Sequence, residues 1–143
     1  VEIITDFSAL PEITSVKSYL HSIFYNIISN SIKYRQALKQ PVIKISSKID
    51  DDQVVFIFED NGLGMDLDKK ADQIFGLYKR FHNHVEGKGM GLFMVKTQVE
   101  SLGGKITVES EQNKGSRFII KFKNDRNSTT RKNEEATTLH VDR

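Results

Sequence analysis

The sequence predicts an α+β fold: a two-layer α/β sandwich in which helices cover one face of a mixed, mostly antiparallel sheet. Three observations predict it. "VIKISSKI" (Val42–Ile49) and "VVFIFED" (Val54–Asp60) flank a short "DDQ" turn, the pattern of a β-hairpin. "KITVESE" and "SRFIIKF" flank "QNKG", a second hairpin. Two segments, about 16–39 and 92–102, carry apolar residues at helical spacing.

Taken in order, "VEIITDF" (Val1–Phe7) is rich in β-branched residues and reads as a strand. "SALPEIT" reads as a connection punctuated by Pro11. Ser15 is the expected N-cap of the first helix. Val16, Leu20, Ile23, Ile27, Tyr34 and Leu38 recur mostly at three- and four-residue steps, an apolar stripe that Pro41 closes. In the first hairpin Ile43, Ile45 and Ile49 share one side, while Val54–Asp60 is a continuous apolar run, as in a central strand.

From Gly62 to Gly91 the periodicity weakens: "DLDKKADQIFGLYKRF" has room for one or two short helices, and "HNHVEGKG" reads as a mobile loop. Gly103–Gly104 stop the second helix. From Asn124 the chain is polar and its charges cancel. The expected domain therefore occupies residues 1–123, with 124–143 a disordered tail or linker in which only "ATTLHV" offers anything to pair.

Composition narrows the function classes. A chain of 143 residues suffices for one core. No apolar run approaches the ~20 residues of a membrane span, and no basic-then-apolar leader is present. The absence of cysteine excludes a disulfide scaffold and a thiolate metal site. A net charge of +2, with scattered basic residues, gives no nucleic-acid footprint. His21, His82, His84 and His140 show no metal-ligand spacing beyond the adjacent loop pair, and no Ser-His-Asp arrangement is evident.

Several residues are candidates for chemistry. Asn26, Asn30 and Lys33 fall on one face of the long helix, with Tyr34 beside them. This is either a polar face with chance asparagines or a phosphate and metal site. In the second case an asparagine oxygen is a hard neutral ligand suited to magnesium, Lys33 a point charge for phosphate, and Tyr34 a surface for a base or ribose. Asp60 leaves an apolar strand into "NGLG", so its carboxylate needs partners. It is either the start of a structural Asp–Asn–Gly corner or an acceptor for the exocyclic amine of adenine, with Gly62 and Gly64 permitting close backbone approach to the ring. "GKGMGL" (Gly87–Leu92) places three glycines at a helix start, where backbone N–H groups attract anions. In "IFGLYKRFH" most aromatics suit core packing, and Arg80 is a cation able to reach a terminal phosphate.

Together these stretches resemble the ATP-binding catalytic domain of sensor histidine kinases, a branch of the superfamily shared with gyrase, the Hsp90 chaperones and MutL. The likeness covers roughly residues 1–123. "FYNIISNSIKY" resembles the N box, "DNGLGM" the first glycine box, "IFGLYKRF" the F box, "GKGMGL" the second glycine box and "NKGSRF" the third. The resemblance implies a Bergerat-type fold that binds ATP and Mg2+. Asn30 would ligate magnesium, with Asn26 one turn before it. Lys33 and Arg80 would contact phosphates, Tyr34 would line the nucleotide, and Asp60 would accept from the adenine amine. Gly62 and Gly64 would open a lid that Gly87, Gly89 and Gly91 close, with Leu92 beside them. Ser116 would help frame the adenine. Arg117 stands where a small hydroxyl residue is usual, so the hydroxyl contribution there rests on Ser116.

Hydrolytic branches carry a glutamate one turn before the magnesium asparagine. Here that residue is Asn26, whose amide takes no proton at neutral pH. The resemblance therefore implies phosphoryl transfer to a histidine on a separate dimerisation domain, which would precede residue 1. It also implies a response regulator receiver domain as partner, a homodimeric full-length protein and a cytoplasmic setting. Neither nucleic acid nor direct membrane contact is expected.

Overall fold

The computed structural model describes residues 1–9, 12–66, 74–75, 91–123 and 136–140. Strands β1 (Glu2–Asp6), β2 (Glu12–Val16), β3 (Val42–Asp50), β4 (Gln53–Asp60), β5 (Lys105–Glu111), β6 (Gly115–Lys123) and β7 (Ala136–His140) accompany helices α1 (Lys17–Lys33) and α2 (Gly91–Ser101). Five strands form one sheet in the order β1-β3-β4-β6-β5, and β2 and β7 form a second, two-stranded sheet. In the large sheet only β1 and β3 run parallel. This is the mixed, mostly antiparallel sheet expected from the sequence.

Both hairpins form where turn chemistry permits. Asp50 pairs with Gln53 around Asp51, which takes a left-handed φ of 55°, and Glu111 pairs with Gly115 around Asn113 at φ 65°. Asp and Asn tolerate this region better than most side chains. β4 lies third of five, and Val54–Ile57 are buried on both faces, as its unbroken apolar run requires.

The helices cover one face. From α1, Leu20, Ile23 and Ile27 are buried; from α2, Leu92, Val95 and Val99. They meet Ile43, Ile45, Val54, Phe56, Phe58, Phe118, Ile120 and Phe122 in one core. Phe24 sets its ring edge-on against Phe56 and Phe58, at centroid distances of 5.3 and 5.0 Å, a favoured aromatic geometry.

α2 ends as its glycines predict. Gly103 adopts φ 77°, Gly104 N–H donates to the Val99 carbonyl and Gly103 N–H to that of Glu100, the paired bonds of a Schellman cap.

Three expectations are corrected. Glu12–Thr14, read as part of a connection, belong to strand β2, which runs Glu12–Val16. Ser15 does not cap α1: it pairs with Thr137 inside β2, and Val16 precedes the helix without a side-chain cap bond. α1 stops at Lys33 rather than near 39, because the Tyr34 carbonyl accepts from Leu63 N–H at 2.8 Å and the chain turns away to make that contact. Within the segment expected as a tail or linker, Ala136–His140 forms β7 and pairs antiparallel with β2.

Candidate functional site

The site lies where the end of β4, the end of α1 and the β5–β6 hairpin converge. Its centre is Asp60, the last residue of β4 and half-buried. Oδ2 accepts from Ser31 Oγ at 2.8 Å; Oδ1 accepts from Gly62 N–H at 2.9 Å and from Ser116 N–H at 3.2 Å. The carboxylate thus ties a helix, a loop and a neighbouring strand together. Ser31 is buried on the α1 stripe that runs Leu20, Ile23, Ile27, Ser31. A hydroxyl at an apolar-stripe position was the signal in the sequence, since a buried hydroxyl requires a partner.

Ser116 brings a second hydroxyl. Its Oγ lies 2.9 Å from Ser110 Oγ, which accepts from Met65 N–H at 2.9 Å and donates to the Gly115 carbonyl at 3.0 Å. The hydroxyl contribution here is therefore shared with Ser110, placed opposite Ser116 by the β5–β6 register. Arg117 takes no part: strand alternation turns it to the other face, where its Nη1 lies 3.3 Å from Glu109 Oε1.

The loop after β4 is held from all sides. Asn61 Oδ1 accepts from Val42 N–H and Nδ2 donates to the Gln40 carbonyl, so the side chain continues the β3 ladder after the β4 backbone has turned away. A Cβ on Gly62 would lie 2.7 Å from the Tyr34 carbonyl oxygen. Gly64, at φ 65°, packs directly on the Glu111 carbonyl, and Gly115, at φ 104°, on that of Asp60. In the described structure these glycines admit backbone against backbone. Gln36 Nε2 reaches the carbonyls of Asn61, Gly62 and Asn113 at 3.0–3.2 Å.

Asn26, Asn30 and Lys33 all lie in α1, and Tyr34 follows it. Asn26 Nδ2 donates to the Ser22 carbonyl at 2.8 Å and contacts Ser22 Oγ at 3.2 Å, which aims Oδ1 toward Gly91 at the start of α2. Asn30 is half-buried and makes no side-chain hydrogen bond among the described residues. Lys33 is exposed in the last turn, and Tyr34 is the half-buried C-cap. Ile74 is buried and Phe75 meets Phe118 edge-on at 6.4 Å, docking the start of the aromatic segment on the core. Arg80, Gly87, Gly89 and most of the expected lid lie outside the described residues. Among the described residues no three His, Cys, Asp or Glu gather as a metal cluster, and no helix is long and apolar enough to cross a membrane.

Known proteins are similar to this chain in sequence and in fold. The methanogenesis regulatory histidine kinase FilI of Methanothrix harundinacea is 37% identical over 91 residues, which are 64% of this chain and 10% of FilI. The chain thus spans about a tenth of that relative's length. The mycobacterial sensor histidine kinase MprB superposes with a TM-score of 0.72 at 21% identity, covering 85% of this chain and 83% of that one. Full-length ShkA, solved in complex with AMPPNP, superposes with a TM-score of 0.69 at 27% identity over 84% of this chain and 25% of ShkA. Residues 15–126, which include α1, β4, α2 and the Asp60 cluster, match the histidine kinase-, DNA gyrase B- and HSP90-like ATPase family, and the chain belongs to it, in the company of sensor histidine kinases.

Proposed function

We propose that this histidine kinase-type ATPase domain binds Mg-ATP and donates the γ-phosphoryl group to a histidine on a separate dimerisation domain. The observation that carries the reading is the coordination of Asp60. An ionised carboxylate offers about four acceptor positions, and Ser31, Gly62 and Ser116 occupy three of them. The adenine amine would take the fourth, where guanine would present a carbonyl oxygen. The AMPPNP bound to ShkA supports a nucleotide at this fold's site.

Asn30 would hold magnesium. Its half-buried amide offers a neutral hard oxygen, which fits an ion that keeps waters and phosphate oxygens as its other ligands. Bound there, the ion would offset the charge of the phosphate oxygens. Lys33 would supply a point charge, Tyr34 a wall for the nucleotide, and the N–H groups from Gly91 onward an anion site anchored by buried Leu92. Arg80, Gly87 and Gly89 would complete the phosphate side.

The transfer breaks the bond between the γ-phosphorus and the ADP oxygen and forms a bond to the imidazole nitrogen. Catalysis is mostly positioning and charge stabilisation. Asn26 cannot deprotonate water, and its Nδ2 is committed to Ser22, which favours transfer over hydrolysis. In the full-length protein the partners would be the histidine-bearing domain of a homodimer and a response regulator receiver domain, in the cytoplasm.

The test is incubation with γ-labelled ATP, with and without a histidine-bearing hairpin from the full-length protein. Acid-labile label should appear on the hairpin and not on this chain. His21, on the same rigid helix as Asn30, stands roughly 13 Å from it along the axis at ~1.5 Å per residue, and cannot fold back to the phosphate. Label on the isolated chain, abolished by His21→Ala, would overturn the division of labour.

A further inference from the structure

We propose that Gln36 is a positioning residue for nucleotide recognition, holding the Asp60 loop in register through its side-chain amide. The proposal rests on the reading of Asp60 as the adenine acceptor. Gln36 lies just beyond α1, outside every glycine-rich motif, and is half-buried. Its Nε2 lies 3.2 Å from the Asn61 carbonyl oxygen, 3.0 Å from that of Gly62 and 3.0 Å from that of Asn113. Two hydrogens serve three acceptors, so one bond is shared.

The convergence is the telling feature. Three carbonyl dipoles point their negative ends at one place, an arrangement that repels itself unless a donor occupies the centre. The chain goes to some length to create it. Asn113 takes a left-handed φ of 65°, and its N–H reaches back to the Leu63 carbonyl at 2.6 Å. Leu63 N–H in turn binds the Tyr34 carbonyl, and Gly62 N–H binds Asp60 Oδ1. The peptides of residues 61–63 are therefore fixed against the end of α1 on one side and the β5–β6 turn on the other. The Gln36 side chain bonds both to this loop and to that turn. Loosening it frees the Gly62 peptide, and with it one of the donors that set the angle of the Asp60 carboxylate.

The requirement is for hydrogens, not volume, and this separates a positioning role from packing. Gln36→Glu keeps the shape and replaces the two donors with an acceptor facing three carbonyls. Gln36→Ala removes the donors and adds no repulsion. In calorimetric titrations of the full chain with Mg-ATP and Mg-GTP, Gln36→Ala should weaken ATP binding about fivefold. Gln36→Glu should weaken it more than tenfold, and both should reduce the preference for ATP over GTP. Amide exchange at Gly62, Leu63 and Asn113 should quicken in Gln36→Ala while Val54–Phe58 stays protected. This readout stands even where Gln36→Glu does not fold.

ATP affinity in Gln36→Glu equal to wild type, or higher than in Gln36→Ala, overturns the proposal and leaves the ATP reading intact. So does unchanged loop exchange in Gln36→Ala. A wild-type chain that binds neither nucleotide overturns the ATP reading, and the proposal with it.

Discussion

The Ser31 hydroxyl donates a 2.8 Å hydrogen bond to Asp60 Oδ2, and through it the core face of α1 determines where the carboxylate at the end of β4 points. Ser31 is 5% exposed, so nothing from solvent easily replaces it. Ser31→Ala should cost about 1–2 kcal/mol, a charge-assisted bond partly offset by the better helix propensity of alanine. It should also weaken ATP binding several-fold. Urea unfolding and calorimetry check the two effects separately.

Asp60 should discriminate between purines. The wild-type chain is expected to bind ATP at least about tenfold more tightly than GTP, because a guanine carbonyl would face an acceptor. Asp60→Asn should abolish that preference, since the amide can turn its oxygen toward the adenine amine or its NH2 toward the guanine carbonyl. Equal affinities in the wild-type chain would remove Asp60 from adenine recognition.

Asn30→Ala should eliminate the magnesium dependence of nucleotide binding with little change in the unfolding midpoint. The side chain is half-buried on the polar side of α1 and leaves no core cavity. Titrations with and without magnesium decide it. A variant that keeps the wild-type dependence moves the metal role to another residue.

Two glycines with positive φ should behave differently. At Gly115 an added Cβ would overlap the Asp60 carbonyl oxygen, whereas at Gly103 it would meet nothing within 4 Å. Gly115→Ala should destabilise the chain by about 3 kcal/mol or more, and Gly103→Ala by about 1 kcal/mol, the cost of the left-handed backbone alone. Thermal unfolding should rank them in that order.

Removing residues 124–143 should leave the five-stranded sheet folded. It deletes β7, and a lone two-stranded pair contributes little by itself. Hydrogen exchange should quicken at Glu12–Val16, the partner strand, while β4 amides keep their protection.

What the sequence revealed follows from the range of the forces involved. The hairpins and α2 were legible because turn residues and apolar period act within a few positions. The end of α1 was not, because the contact that stops it comes from Leu63. β2 and β7 were hidden for the same reason: two short segments from opposite ends of the chain pair with each other. Around Asp60, the need of a strand-end carboxylate for partners could be read, and so could the need of a Ser31 hydroxyl on an apolar stripe, but not that Ser31 and the Ser116 N–H meet this carboxylate. Ser110 became a partner of Ser116 only through the register of β5 and β6.

Asn61 precedes Gly62, the pairing in which asparagine ages fastest by deamidation. That reaction needs the glycine nitrogen to swing onto the asparagine side-chain carbon. Here Gly62 N–H is held on Asp60 Oδ1, and both ends of the Asn61 amide are bound at the β3 edge. The folded protein therefore keeps the reacting atoms apart, and the unfolded chain does not. Conversion to aspartate would set a negative oxygen against the Gln40 carbonyl and unfasten the ladder beside Asp60. The half-life of this one amide becomes a clock for how long the molecule has spent unfolded.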